Sequence, residues 1–418
     1  MDFSKEIILL AEEAEKALEE VFKEIDRVAF KNTEKVMDAF RESRVSDSFF
    51  AGTSGYGYDD RGREALDEVF ATVFEAPKGL VRHTIANGTA AISAALYALL
   101  RPGDTLLSVT GKPYDTLEEV IGIGKSSGDG SLADFGVSYR QVDLNSDGSI
   151  DYKGIEECLD GSVKVVFVQR SKGYMDRKTL SCAEIGEIVS FVKARSDAYV
   201  MVDNCYGEFC EEIEPTAVGV DLMAGSLIKN PGGGIAECGG YLAGSKRAVE
   251  LASYRLTSVG VGLEVGATLG QNRNLYKGFF FAPHVVAQTL KTAMLAAYIF
   301  EKLGFAVEPA FSEPRYDIIQ TVKLGSERAM CAFCKGIQSG SPVDSFVTPE
   351  PWDMPGYSDK VIMAAGAFVQ GATTELSADG PIRPPYSIYF QGGLTYESGK
   401  LGVMSAAENL LKMLEEQS

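Results

Sequence analysis

Four short stretches contain residues whose types and order could do chemistry. Ser226 to Gly234 reads Ser-Leu-Ile-Lys-Asn-Pro-Gly-Gly-Gly, with Lys229 closing an apolar run. A buried ammonium is costly unless it is paired or neutralised. A lysine with suppressed charge suits Schiff-base formation with a carbonyl compound. Ser226, three residues earlier, could place a hydroxyl on a phosphate beside that imine, and the glycines let the backbone pass close to a bound ring. Read alone, Lys229 could equally reach out to water before a Gly-rich turn. Asp203 ends the apolar run of Tyr199 to Gly207, 26 positions before Lys229. A carboxylate there can hold a protonated ring nitrogen and keep the ring a strong electron sink; it could also simply cap the next turn. Gly88 and Thr89, in Ala86 to Ala91, fall where a helix should begin, and free N–H groups with the helix dipole attract phosphate. Asn87 as an ordinary N-cap is the structural alternative. Tyr114, in Gly111 to Leu117, could lay its ring on a flat ligand or merely pack in its loop.

These residues need elements to position them. From about Arg61 the chain alternates helical spacing with short apolar runs. Leu80–Ile85, Thr105–Val109, Lys164–Gln169, Tyr199–Asp203 and Leu222–Ile228 are predicted strands, with helices over Thr89–Leu100 and Ala183–Ala194. Ser181 and Glu184 have the spacing of a capping box. Strand–helix alternation predicts a mainly parallel sheet covered on both faces, an α/β fold. Ligands on such sheets bind outside the carboxyl ends of the strands, where all four stretches fall.

The remaining chain suggests three parts: a helical arm at 1–60, a large domain at 61–285 and a smaller α+β domain at 286–418. Phe3 to Ser43 has helical spacing and could pack on a partner or cap its own monomer. A helix from Val286 to Leu303 and a last one at Ala406–Glu416 are predicted. No internal repeat is evident.

Composition excludes some classes. The 418 residues carry a formal charge of −19, with 45% hydrophobic and 24% charged residues. That balance argues against a sequence-independent grip on nucleic acid. No apolar run is long enough to span a membrane, and the acidic N-terminal stretch is unlike a signal peptide, so cytoplasmic residence is expected. Seven scattered cysteines do not resemble a disulfide framework. Cys331 and Cys334 form a lone C-x-x-C without the further ligands that zinc needs. His83 and His284 suggest no Ser-His-Asp machine. The glycines at 260–266 lack a dinucleotide-site context, and Trp352 sits in a Pro-rich loop.

Seven stretches give the chain a resemblance. They are Thr53–Arg63, Gly111–Val120, Gln169–Tyr174, Val202–Phe209, Gly225–Gly234, Phe281–Val286 and Glu375–Pro381. Together they resemble the fold-type I, pyridoxal-phosphate-dependent enzymes of cysteine and methionine metabolism. The closer likeness is to a bacterial methionine gamma-lyase-like or "aluminium resistance" family related to cystathionine beta-lyase. The resemblance implies a three-layer large domain of the PLP-dependent transferase type and pyridoxal 5'-phosphate on Lys229. Asp203 becomes the pyridinium partner, Tyr114 the stacking ring, and Gly88, Thr89 and Ser226 the phosphate contacts. It also implies a homo-oligomer, dimer or tetramer, with sites at subunit interfaces. There Tyr56 would reach a neighbour's phosphate; Tyr58 stands where the broader branch has an arginine, and Arg61 could substitute. Arg383 takes the place of the arginine that grips the substrate carboxylate. The implied activity is carbon–sulfur cleavage of a cystathionine-, cysteine- or methionine-type amino acid by Cα-proton removal and β- or γ-elimination. A lowered Lys229 pKa would suit it to take that proton. Aminotransferase, racemase and a catalytically inactive cofactor-binding protein are the alternatives.

Overall fold

The computed structural model describes residues 2–124, 128–354 and 357–416. Seven strands form the larger sheet: β1 (Lys78–Arg82), β2 (Thr105–Ser108), β3 (Ser138–Gln141), β4 (Val163–Gln169), β5 (Tyr199–Asp203), β6 (Leu222–Ser226) and β7 (Gly240–Gly244). Their order is β1-β7-β6-β5-β4-β2-β3, and only β7 runs against its neighbours. The parallel majority buries both faces, which the period-two alternation of apolar residues makes explicit. Val166, Val168, Val200 and Val202 enter one core, while Val165, Phe167 and Met201 enter the other.

Helices cover the two faces and connect them to a second sheet. In chain order they are α1 (Lys5–Ala17), α2 (Glu19–Glu42), α3 (Arg61–Val73), α4 (Gly88–Leu99), α5 (Asp115–Ile121), α6 (Tyr152–Cys158), α7 (Cys182–Lys193), α8 (Lys246–Leu256), α9 (Asn272–Lys302), α10 (Glu327–Gly340) and α11 (Tyr396–Glu415). Ser181 and Glu184 make the reciprocal capping box at α7. The second sheet is antiparallel, with β8 (Ala306–Glu308), β9 (Gln320–Lys323), β10 (Val361–Ala365), β11 (Ser377–Pro381) and β12 (Ser387–Gln391) in the order β10-β11-β12-β9-β8. Its core draws on α9, α10 and α11, and on Ile7, Ala11 and Ala14 of α1.

Several bounds differ from the sequence reading. The N-terminal stretch is two helices interrupted at Leu18, and the apolar stripe of α1 is buried within its own chain. The helix expected at Val286–Leu303 begins at Asn272, because Pro283 does not stop it; α9 therefore runs through residue 286. The last helix starts ten residues early, at Tyr396, capped by Thr395. β6 ends at Ser226 rather than Ile228, so Lys229 stands on the turn that follows. That turn sits directly on α9. A Cβ at Gly233 would lie 2.2 Å from the Gly278 carbonyl oxygen, and one at Gly278 would lie 2.3 Å from that of Gly232. No helix among the described residues is long and apolar enough to cross a membrane.

Candidate active site

The carboxyl ends of β4, β5 and β6 surround a cavity of about 210 Å³. Gly88, Thr89, Tyr114, Asp203, Ser226 and Lys229 all line it, so six of the residues singled out from the sequence meet in one place. Each arrives by a simple device. Asn87 caps α4 by accepting the Ala90 N–H at 2.9 Å, which leaves Gly88 and Thr89 in the first turn with the positive end of the dipole. Gly88 has no room for a side chain: a Cβ would stand 3.0 Å from Cys205 Sγ and 3.3 Å from Ser226 Cβ. The Ser226 hydroxyl is buried and has no hydrogen-bond partner among the described residues. Thr89 Oγ1 lies 2.9 Å from Thr116 Oγ1.

Asp203 is buried at the end of β5. Burial pushes its carboxyl above the usual range, opposed by the Lys229 charge and the Cys205 N–H it accepts at 3.0 Å. Tyr114 immediately precedes α5, and its N–H donates to Gln169 Oε1 at 2.7 Å. Its ring lies against Gly173, where φ is +56° and a Cβ would come 2.9 Å from Tyr114 Cδ2. Burial holds the Tyr114 hydroxyl well above its ordinary pKa.

Lys229 Nζ sits 3.6 Å from the centre of the Tyr206 ring. The lowered pKa expected for it is not met in the free chain. Burial pulls it down, but Cys205, Tyr206 and Asp203 outweigh burial and the net direction is upward. Sequence reasoning missed Tyr206, whose backbone is strained at φ +75°. Asn230 Nδ2 fixes that loop by donating to the carbonyls of Tyr206 and Glu208 at 3.0 and 2.9 Å. Nothing local announces this position, since only the fold brings the ring under Lys229.

Tyr357 and Asp379 were also missed. Tyr357 lines the same cavity, and its hydroxyl is 2.7 Å from that of Tyr114. Asp379 lies on β11 and belongs to the second sheet.

Two other positions fall elsewhere. Arg383 borders an adjoining cavity of about 190 Å³ that shares Tyr114 and Gln169 with the first, and it pairs with Asp359 at 2.8 Å. Tyr56 is not brought to the cavity by its own chain. It is 73% exposed and stacks on Tyr58 at 5.4 Å between ring centres. Arg61 starts α3 with its guanidinium over the Phe49 ring. His284 is on the exposed side of α9, and Cys331 and Cys334 are free thiols of α10.

The cavity suits a flat, phosphorylated aldehyde. An orphaned hydroxyl, a helix N-terminus, a buried carboxylate without an ion-pair partner among the described residues and a primary amine all line it.

The model of the methionine gamma-lyase family matches residues 7–411. The chain belongs to the methionine gamma-lyase family. Among its family relatives, the uncharacterized protein YnbB of Bacillus subtilis is 51% identical over 403 residues, 96% of each chain. A crystal structure described as a carbon–sulfur lyase involved in aluminum resistance, from Clostridium novyi, is 50% identical. It covers 97% of this chain and 96% of its own, with a TM-score of 0.94. At 16% identity, the pyridoxal-5'-phosphate-dependent protein YhfS of Escherichia coli shares only the fold, with a TM-score of 0.62 over 94% of this chain and 97% of its own. The methionine gamma-lyase family thus supplies the frame in which the Lys229 cavity is read.

Proposed function

We propose that this protein is a pyridoxal 5'-phosphate-dependent carbon–sulfur lyase acting on a sulfur amino acid. The observation that carries the reading is the convergence of Lys229, Asp203, Ser226 and the start of α4 on one cavity in a methionine gamma-lyase family chain. When bound, the cofactor would join Lys229 as an imine and supply a ring that draws electrons away from the substrate Cα.

The protein's own groups do the rest. Ser226 Oγ and the amides at the start of α4 hold the phosphate. Asp203 holds a proton on the ring nitrogen, and its buried position strengthens that pairing. Tyr114, which lines the cavity just before α5, would pack against the ring. Arg383 orients the substrate through its carboxylate once it exchanges Asp359 for that group. Lys229 would take the substrate Cα proton at Nζ. Loss of that proton would let a β-thiolate leave and take up a proton, with water hydrolysing the unsaturated remainder to a keto acid and ammonia; a γ-thiolate would leave only after a Cβ proton is also removed. Packing of Tyr357 against Tyr114 restricts water at the cavity mouth.

The test is a screen of cofactor-loaded protein against sulfur amino acids, following visible absorbance, free thiol and keto acid. Thiol with keto acid and no added co-substrate supports the lyase. Product only when a second keto acid is supplied would indicate an aminotransferase. Change of the Cα configuration alone would indicate a racemase. Normal imine absorbance with no Cα-proton exchange would leave a cofactor-binding protein without catalysis.

A further inference from the structure

The second sheet presents one acidic side chain toward Lys229. Along β11, Ala378 packs in the small core and Gly380 lies against Met330 of α10. Strand alternation therefore turns Ser377 and Asp379 to the opposite face. Ser377 Oγ is buried there without a hydrogen-bond partner among the described residues. Tyr389, paired with Asp379 across the ladder, shares that face. Asp379 accepts a hydrogen bond from Tyr174 and feels the Lys229 charge. Its own charge acts on Tyr114, Tyr206 and Tyr357.

Tyrosine rings gather on the side of this partly exposed carboxylate. Tyr174 lies 5.7 Å from Tyr114, 5.9 Å from Tyr357 and 4.9 Å from Tyr389, between ring centres. Tyrosine faces attract cations, and a carboxylate among them adds a full opposite charge. Among the described residues Asp379 forms no ion pair.

We propose that Asp379, with Tyr174 and Tyr357, forms a subsite for a positive charge on the substrate side chain, an ammonium or a sulfonium beyond the reacting carbon. The inference rests on the lyase reading and narrows its substrate class. A neutral side chain leaves the carboxylate without a partner, and an anionic one is repelled.

The test compares three amino acids with the same α-groups: S-(2-aminoethyl)-L-cysteine, S-propyl-L-cysteine and S-carboxymethyl-L-cysteine. Cofactor-loaded protein is assayed for thiol release, and Kd is measured separately from the shift in cofactor absorbance. The aminoethyl compound should exceed the propyl one on the order of tenfold in kcat/KM and in affinity, with the carboxymethyl compound weakest. Asp379→Asn should bring the first two together. A wild-type ratio at or below one overturns the subsite, and so does an unchanged ratio in Asp379→Asn. Should that variant not fold, the wild-type comparison decides. Absence of thiol from all three, with the binding preference retained, refutes the lyase reading and leaves the subsite standing.

Discussion

The two walls around Lys229 are built on opposite principles. The wall from the larger sheet is tight and prearranged: strand ends, a capped helix start, a glycine with no room for a methyl, and a serine hydroxyl awaiting a partner. The wall from the second sheet is built of large rings and charges in looser surroundings. Tyr357 reaches across to Tyr114, and Arg383 is held by a half-exposed Asp359. A tight wall fixes a ligand that never changes, whereas a looser one can choose among ligands. On the function proposed above, the first wall would hold the cofactor and the second the substrate.

Replacements on the two walls should fail differently. The largest effect is expected for Lys229→Ala, which should abolish the imine absorbance and cut kcat by about 10³- to 10⁴-fold; an unchanged spectrum would sink the assignment of Lys229. Asp203→Asn should keep the absorbance but lower kcat by about 10²- to 10³-fold, measured under saturating cofactor. Arg383→Lys should instead raise KM by about tenfold or more, because a bidentate fork is lost, while cofactor affinity stays as it was. A matching loss of cofactor affinity would dissolve the division between the walls.

A smaller effect concerns pH. Burial raises the Asp379 carboxyl to about 7, opposed by Tyr174 and Lys229. A carboxyl is neutral below its pKa and anionic above it, so preference for aminoethyl over propyl side chains should grow as pH rises from 6 to 8. Lys229, Tyr114, Tyr174, Tyr206, Tyr357 and Tyr389 lie around it, and only Lys229 brings a positive charge. A ratio flat across that range would count against an ionised Asp379. The smallest effect is expected for Ser226→Ala. Without cofactor it should raise Tm slightly, since an unpartnered buried hydroxyl is removed. With cofactor it should weaken binding by about fivefold, equivalent to one hydrogen bond near 1 kcal/mol.

The contrast also explains what was legible in the sequence. The first wall could be read because each part has a local signature. Asp203 closes an apolar run, Asn87 and Gly88 mark a helix start, and Lys229 precedes a glycine turn. Parallel strands then bring all of them to one edge. The second wall has no such signature. Asp379 lies in Ser-Ala-Asp-Gly-Pro, a stretch poor in strand formers, and it becomes a strand only by pairing with β10 and β12. Tyr357 and Tyr206 are ordinary loop tyrosines until tertiary contacts aim them. The start of α9 was misplaced for a similar reason: the stretch from Asn272, with Pro283 inside it, is helical because its length is buried against the rest of the fold.

The contact of Gly232 and Gly233 with Gly278 has a consequence of its own. Two backbones touching without side chains between them act like meshed gears with no play. A single added methyl on α9, outside the cavity, would therefore push the Lys229 turn off its seat. Position 278 is therefore a place from which a residue outside the cavity could displace Lys229 from behind.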